Sequence, residues 1–333
     1  MWRIFLILFL VVVLFLARES LIILFLAIIV SSALDGLVSY LQRKKIPRVL
    51  GTLLIFLVAL TILALLLYTF IPIAIFELQN LLENFKKIEI PIFGSLDVSQ
   101  FTGVDKYLGN LGNLADVLFS GGASFLNIVS AVFGNFALII ATLILSFYLT
   151  INRGGVERFL RAILPIPQED YIVDIYLRAR KKMGRWLQGQ ILLMLVIGAA
   201  TTIGLWILGV KYSLVLGILA GVLEIVPIVG PIFAGTIAFL VAISESWTLG
   251  LYVIILFLVI QQAESHLLVP LVMRKTVGIS PVVVVIAILA GSQVAGIIGV
   301  ILAVPAAVVL QEVIEDWERR KLKTGRLTMN DEQ

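Results

Sequence analysis

The chain contains no cysteine and a single histidine, His266. The first absence removes disulfides, thiolate catalysis and cysteine metal sites. The second leaves no histidine cluster to ligate a metal, so neither a metal nor a cofactor is expected. Charge is scarce too: Asp, Glu, Lys and Arg make up 14% of the 333 residues, where soluble domains carry about a quarter. No His-Glu-x-x-His, Gly-x-Ser-x-Gly, Gly-x-x-x-x-Gly-Lys or helix-opening Gly-x-Gly-x-x-Gly occurs, so an enzyme is not expected. His266 stands near the end of an apolar run, where a half-buried interfacial histidine is the expectation and a titrating group the alternative.

What is abundant is apolar. Hydrophobic residues form 61% of the chain and the mean hydropathy is +1.11, which defines an all-α polytopic membrane protein embedded in a lipid bilayer. The net charge of +4 does not point to nucleic acid, because the basic residues sit in short loops beside apolar spans. Uninterrupted spans are read at Trp2–Leu16, Ser20–Leu41, Leu50–Ile71, Ile128–Thr150, Leu187–Leu208 and Leu249–Leu268, with a turn at Arg18–Glu19 between the first two. The first resembles a signal peptide, but no Ala-x-Ala-like cleavage site follows it, so an uncleaved membrane helix is expected.

Two further apolar stretches, Ser213–Ser244 and Pro281–Gln311, are each broken in the middle, at Pro227–Pro231 and at Gly291–Gly296. An arm of about fourteen helical residues reaches only ~20 Å against a hydrocarbon core of roughly 30 Å. The arms are therefore expected to stop near mid-membrane as re-entrant helical hairpins. Irregular backbone is tolerated there only where protein or a cavity covers it. The expected fold is about six full transmembrane helices plus two opposed re-entrant hairpins forming an inverted repeat, the pattern of a transporter's substrate site.

Orientation follows from lysine and arginine. Gln42–Arg48 carries four basic residues and no acid, and 151–185 carries eight basic against four acidic, whereas Glu77–Gly122 has three lysines against six acids. The positive-inside rule puts the first two segments, Met273–Lys275 and both termini in the cytoplasm. The first hairpin then enters from outside and the second from inside. The expected divisions are N-terminal helices over 1–76, an extracytoplasmic helical segment over 77–123, a transmembrane helix over 124–150, a cytoplasmic helical segment over 151–186, a transport core over 187–311 and a cytoplasmic tail over 312–333.

In Phe76–Ile88 the residues Leu78, Leu81, Leu82, Phe85 and Ile88 share a helical face, which suits the outer membrane surface or, as the favoured reading, a neighbouring subunit, so a homo-oligomer is expected. The stretch Gln168–Arg185 is read as a helix with Tyr171, Ile172, Ile175 and Tyr176 on one side and a solvated charged flank. Trp186 and Trp206, twenty residues apart and hence separated by ~30 Å of helix, are read as interface anchors.

The informative polar residues lie inside the spans. Glu224 precedes the first break, and Gln261, Gln262 and Glu264 occupy the inner half of their span; intramembrane acids mark ion or solute paths, or else serve as protonated glue between helices. The i, i+3, i+7 spacing of Gln261, Glu264 and Leu268 puts amide and carboxyl side by side. Gly217 and Gly221 are expected to pack helices closely. At the hairpin tips Pro227, Gly230, Pro231, Gly291 and Gly296 shape backbone that can approach a ligand, and Ser292 and Gln293 offer hydrogen bonds. These ten residues (Glu224, Pro227, Gly230, Pro231, Gln261, Glu264, Gly291, Ser292, Gln293 and Gly296) are the candidate site for a solute or ion.

The run Gly217–Pro231, followed by Gln261–Glu264, Pro270, Val277–Pro281, Gly291, Gly296–Gly299 and Ala303–Pro305, resembles the autoinducer-2 exporter family of bacterial permeases. Ile228 stands where that family usually has an aromatic residue, and Glu224 where it commonly has a small or amide one. The resemblance implies a secondary carrier that exports a small polar solute such as the autoinducer-2 signal. It also implies an alternative, a sodium(lithium)/proton antiporter with Glu224 and Glu264 titrating. A structural or regulatory membrane protein whose hairpins only pack is the reading from a different class.

Overall fold

The computed structural model describes residues 18–65, 136–273 and 281–330, together with 2, 9, 12, 13, 15–17, 89, 90, 94 and 95. The described chain is helical throughout its long segments: α1 Arg18–Arg43, α2 Arg48–Leu65, α3 Phe136–Ile151, α4 Gly155–Ile163, α5 Ile166–Ile207, α6 Ser213–Leu223, α7 Val229–Glu245, α8 Trp247–Ala263, α9 Val269–Met273 and α10 Pro281–Asn330. Glu89–Ile90 and Gly94–Ser95 form a two-residue antiparallel pair, so at these four residues of the 77–123 segment the chain is extended. The apolar face read over Phe76–Ile88 lies outside the described residues.

Five of these helices are long and apolar enough to cross a membrane, or six if α3 and α4, bent by 86°, count as one. Several expectations are met closely. The helices α6 and α7 divide the first broken stretch, and a turn stands at Ala17 beside the expected Arg18–Glu19, although Ala17 keeps i, i+4 bonds to Val13 and Leu21. Others need correction. The stretch read as a cytoplasmic segment and the span read after it are one helix, the 42-residue α5, ~63 Å long. Nothing between Pro167 and Ile207 breaks it: Gly184, Gly198 and Gly204 serve close helix approach instead. A Cβ on Gly184 would lie 2.6 Å from the Ser32 carbonyl, and one on Gly204 2.6 Å from Leu256 Cδ1.

The second broken stretch leaves helical geometry at Ala295 and Gly296 (φ 57). A Cβ on Gly299 would collide with the Gly291 carbonyl, so the chain doubles back at this point. Its two arms are unequal, however. The first covers Val282–Gly296, but Ile298–Glu318 continues as a 21-residue apolar helix, long enough for a full span rather than a half-span.

The chain divides into two compact units. The first comprises Met1–Leu57, Ala137–Gln188 and Thr276–Gln333. In it Arg48 fastens α2 to the end of α3, donating from Nη2 to the Thr150 carbonyl (2.6 Å) and from Nε to that of Ile151 (3.2 Å). A cation at a helix C-terminus meets the negative end of the dipole and satisfies carbonyls that have no helical donor. Asp35 bridges the same guanidinium at 2.6 Å and Arg153 at 3.2 Å.

Farther along, Arg178 and Lys182 of α5 bind Glu312 of α10 at 2.8 and 2.5 Å, and Arg178 also binds Asp316. These contacts correct two expectations. The flank of α5 is not simply solvated, and the segment read as a tail begins with helix pinned to α5. Trp186 is 4% exposed and packs inside this unit, which corrects its reading as an interface anchor, whereas Trp206 is 73% exposed.

The second unit comprises Val58–Phe136 and Gly189–Lys275. Its core gathers Leu205 and Val210 with Leu216 of α6, Ala238, Val241 and Ala242 of α7 and Val253 of α8. The small residues on α7 let it pack against both α6 and α8. Gly217 and Gly221 behave as expected: a Cβ on Gly217 would collide with Thr202 Oγ1 and one on Gly221 would lie 2.6 Å from the Met194 carbonyl, so α6 rides directly on α5.

Candidate functional site

The site in the second unit begins with the way α6 ends. Glu224 caps α6 in right-handed geometry, and the chain then turns through Ile225–Val226 to Pro227. Ile228 has φ 72 and ψ −52, and Val229 N–H donates to the Pro227 carbonyl at 2.9 Å. This is the positive-φ γ-turn, a strained conformation for a β-branched residue, and such strain concentrates at functional sites. The non-helical residues are thus Glu224–Ile228 rather than Pro227–Pro231. Pro231 falls in the first turn of α7, where its missing N–H has no helical partner to lose. Gly230 is required by packing, since a Cβ there would collide with the Leu223 carbonyl.

The opposite wall comes from α8. Pro270 cannot donate to the His266 carbonyl and its ring crowds that position. Just upstream, Glu264–Leu268 form a π turn, closed by Val269 N–H on the Glu264 carbonyl. Side chains occupy the loosened carbonyls: Ser265 Oγ donates to Gln261 O at 2.9 Å, and His266 Nδ1 lies 3.1 Å from Gln262 O. Isolated π turns recur at functional sites. Gln261 Nε2 donates to Glu264 Oε2 at 3.2 Å, as the spacing predicts, while Gln262 and His266 face outward.

Glu224 and Glu264 are 1% and 6% exposed, and their carboxyl groups face each other at hydrogen-bonding range. No cation acts on Glu224, and no donor reaches its Oε2 among the described residues. Two facing carboxylates in a low-dielectric interior repel strongly, so the pair requires one positive charge between them, either a proton or a bound cation. Gln190, fully buried on α5, donates to the Glu224 backbone carbonyl at 2.5 Å and fixes the end of α6. Sequence reasoning missed Gln190; the available signal was the pair of amides, Gln188 and Gln190, at the start of an otherwise apolar span. Among the described residues no group of three or more His, Cys, Asp or Glu is placed to hold a metal.

The structure therefore brings together Glu224, Gln261 and Glu264 from the candidate set, with Pro227, Gly230 and Pro231 shaping the adjoining turn. Gly291, Ser292, Gln293 and Gly296 belong to the other unit. There Ser292 and Gln293 are exposed, and Ser292 donates to the Leu289 carbonyl of its own helix.

Apolar spans, a broken helix and buried acids on facing helices are the features of a polytopic membrane protein of transporter type. The model of the AI-2E family transporter matches residues 4–319, and this chain belongs to that family. It is 28% identical over 315 residues to "Putative transport protein YrrI" of Bacillus subtilis, covering 90% of this chain and 86% of the relative. "Putative transport protein YueF" of the same organism is 30% identical over 285 residues, covering 81% and 77%. "Putative permease PerM" of Escherichia coli K12 is 24% identical over 177 residues, 51% of this chain and 49% of the relative.

Proposed function

We propose that this protein is a secondary carrier of the bacterial inner membrane in which the Glu224–Glu264 pair takes up the coupling cation, a proton or sodium, while a small polar solute is exported. The family supplies the solute class, with autoinducer-2 as the first candidate. The observation that carries the coupling step is the buried pair of facing carboxyl groups. A pair needing one positive charge can exchange it only if that charge reaches the membrane surfaces. The strained turn at Ile228 and the π turn at Glu264 are the two backbone irregularities through which such movement is accommodated.

The same observation favours a second reading, a sodium(lithium)/proton antiporter, because a carboxyl pair binds either ion in turn with no solute required. In both readings the first hairpin is re-entrant, the chain is multi-pass with cytoplasmic termini, and copies assemble. Flux in proteoliposomes decides between them. With an imposed pH gradient, the carrier reading expects autoinducer-2 to move against proton flow, and the antiporter reading expects sodium to do so. Absence of both fluxes above protein-free liposomes would overturn the proposal.

A further inference from the structure

The short helix α4, Gly155–Ile163, follows α3 after a bend of 86°. We infer that α4 lies in the plane of the bilayer, with its stripe of Phe159, Ala162 and Ile163 set among lipid acyl chains at the headgroup boundary. Its sequence, Gly-Val-Glu-Arg-Phe-Leu-Arg-Ala-Ile, is amphipathic at helical spacing. Phe159 and Ile163 share a face at i, i+4 with Ala162 beside them, and Arg161 stands about 200° around the helix from Phe159. The polar side is engaged. Arg161 reaches Glu157 at 3.4 Å and ties α4 to the start of α5 through Glu169 at 2.9 Å and Asp170 at 2.7 Å. The apolar side is only partly covered: Val156 and Leu160 are half-buried, whereas Phe159 and Ile163 are 63% and 64% exposed.

Three observations select lipid as the occupant of that side. First, α4 carries Glu157, Arg158 and Arg161 within nine residues, a density too costly for the hydrocarbon core. The apolar run that leads into α3 begins at Ile128 in the sequence and is long enough to cross without α4. Second, the stripe continues a lipid-facing surface. On α3, which has no charged residue, Ile144 and Tyr148 are exposed one turn apart, and an aromatic residue this close to the helix end at Ile151 marks headgroup level. A near-right-angle bend just beyond that level lays α4 along the membrane surface. Third, Arg158 borders the stripe, and among the described residues no carboxylate pairs with it: Nη2 donates to Asn152 Oδ1 at 2.5 Å and Nε to the Gly154 carbonyl at 3.3 Å. A cation at that edge faces headgroup phosphates, the charge pattern of an interfacial helix. A second copy of the chain is the poorer fit, because two large side chains supply only a small part of the roughly 800 Å² per partner that a stable protein interface buries. On the orientation that the basic loops predict, the leaflet is the cytoplasmic one.

The test uses the full-length chain in lipid nanodiscs, with a nitroxide on one introduced cysteine at a time, since the native chain has none. Phe159→Cys, Ala162→Cys and Ile163→Cys report the stripe, and Glu157→Cys reports the polar side. Ala162→Cys is the mildest change and keeps the measurement available if the larger ones perturb folding. Relaxation of the label by oxygen, which partitions into lipid, is compared with relaxation by a water-soluble nickel chelate. Oxygen is expected to be several-fold the more effective along the stripe, and the nickel chelate the more effective at position 157. Greater effectiveness of the nickel chelate along the stripe would put that face in water. Protection from both reagents would put protein over it, a second copy included, and dominance of oxygen at position 157 as well would make α4 part of a membrane crossing. Any of these three results overturns the inference.

Discussion

Gln190 is the residue on which the geometry of the buried acids most depends, because its amide holds the carbonyl at which α6 ends. Replacing it by a near-isosteric apolar residue, Gln190→Met, strips a buried carbonyl of its donor and is expected to destabilise the protein by about 1–3 kcal/mol, read as a lowered thermal midpoint in detergent. An unchanged midpoint would mean that the Glu224 carbonyl finds another donor. At this scale the sequence was informative where partners are close along the chain. Gln261 and Glu264 pair as their i, i+3 spacing predicts, and Glu224 stands at the break as its position before Pro227 implies. It was silent where partners are distant. Neither the facing of Glu224 and Glu264, forty residues apart, nor the reach of Gln190 to Glu224 is encoded in any local pattern.

Among the elements, α6 and α5 depend on glycine contact. Gly217→Ala forces a Cβ into Thr202 Oγ1 and the Gly198 carbonyl and is expected to cost about 1–3 kcal/mol, whereas Gly154→Ala meets nothing within 4 Å and should be close to neutral. Equal thermal midpoints for the two variants would contradict the close packing. The α5–α10 contact has an ionic counterpart. Glu312 is buried against Arg178 and Lys182, which are about a third exposed, so Glu312→Ala is expected to destabilise by about 2–3 kcal/mol, less than a fully buried pair would.

Element boundaries were legible at the outer ends of the first broken stretch, read as Ser213 and Ser244 and found at Ser213 and Glu245. They were misread where polarity was taken for a break. The charged half of α5 looked like a separate helix, although only proline or a left-handed residue would have ended it. The break after α6 was displaced because Pro231 reads as a helix breaker from sequence and serves as a first-turn residue in the fold. The C-terminal arm of α10 was cut short at Gln311 by the acids that follow, yet those acids are neutralised by α5 and the helix runs on.

For the whole molecule the outstanding property is orientation. The absence of cysteine allows single cysteines to report it without background. With the basic loops inside, a membrane-impermeant thiol reagent applied to intact cells should label Ser246→Cys and spare Lys275→Cys. The reverse pattern would invert the topology. The central claim, however, is that Glu224 and Glu264 act as one site for a coupling cation, and coupled flux in proteoliposomes tests it most directly. Glutamine in place of either acid keeps size and hydrogen bonding while removing charge, so Glu224→Gln, Glu264→Gln and the double variant should fold with wild-type thermal stability. The account predicts that each single change abolishes proton-coupled flux and that the double change is no worse than either, as for two halves of one site. Wild-type rate and wild-type pH profile in Glu264→Gln protein of unchanged stability would contradict it.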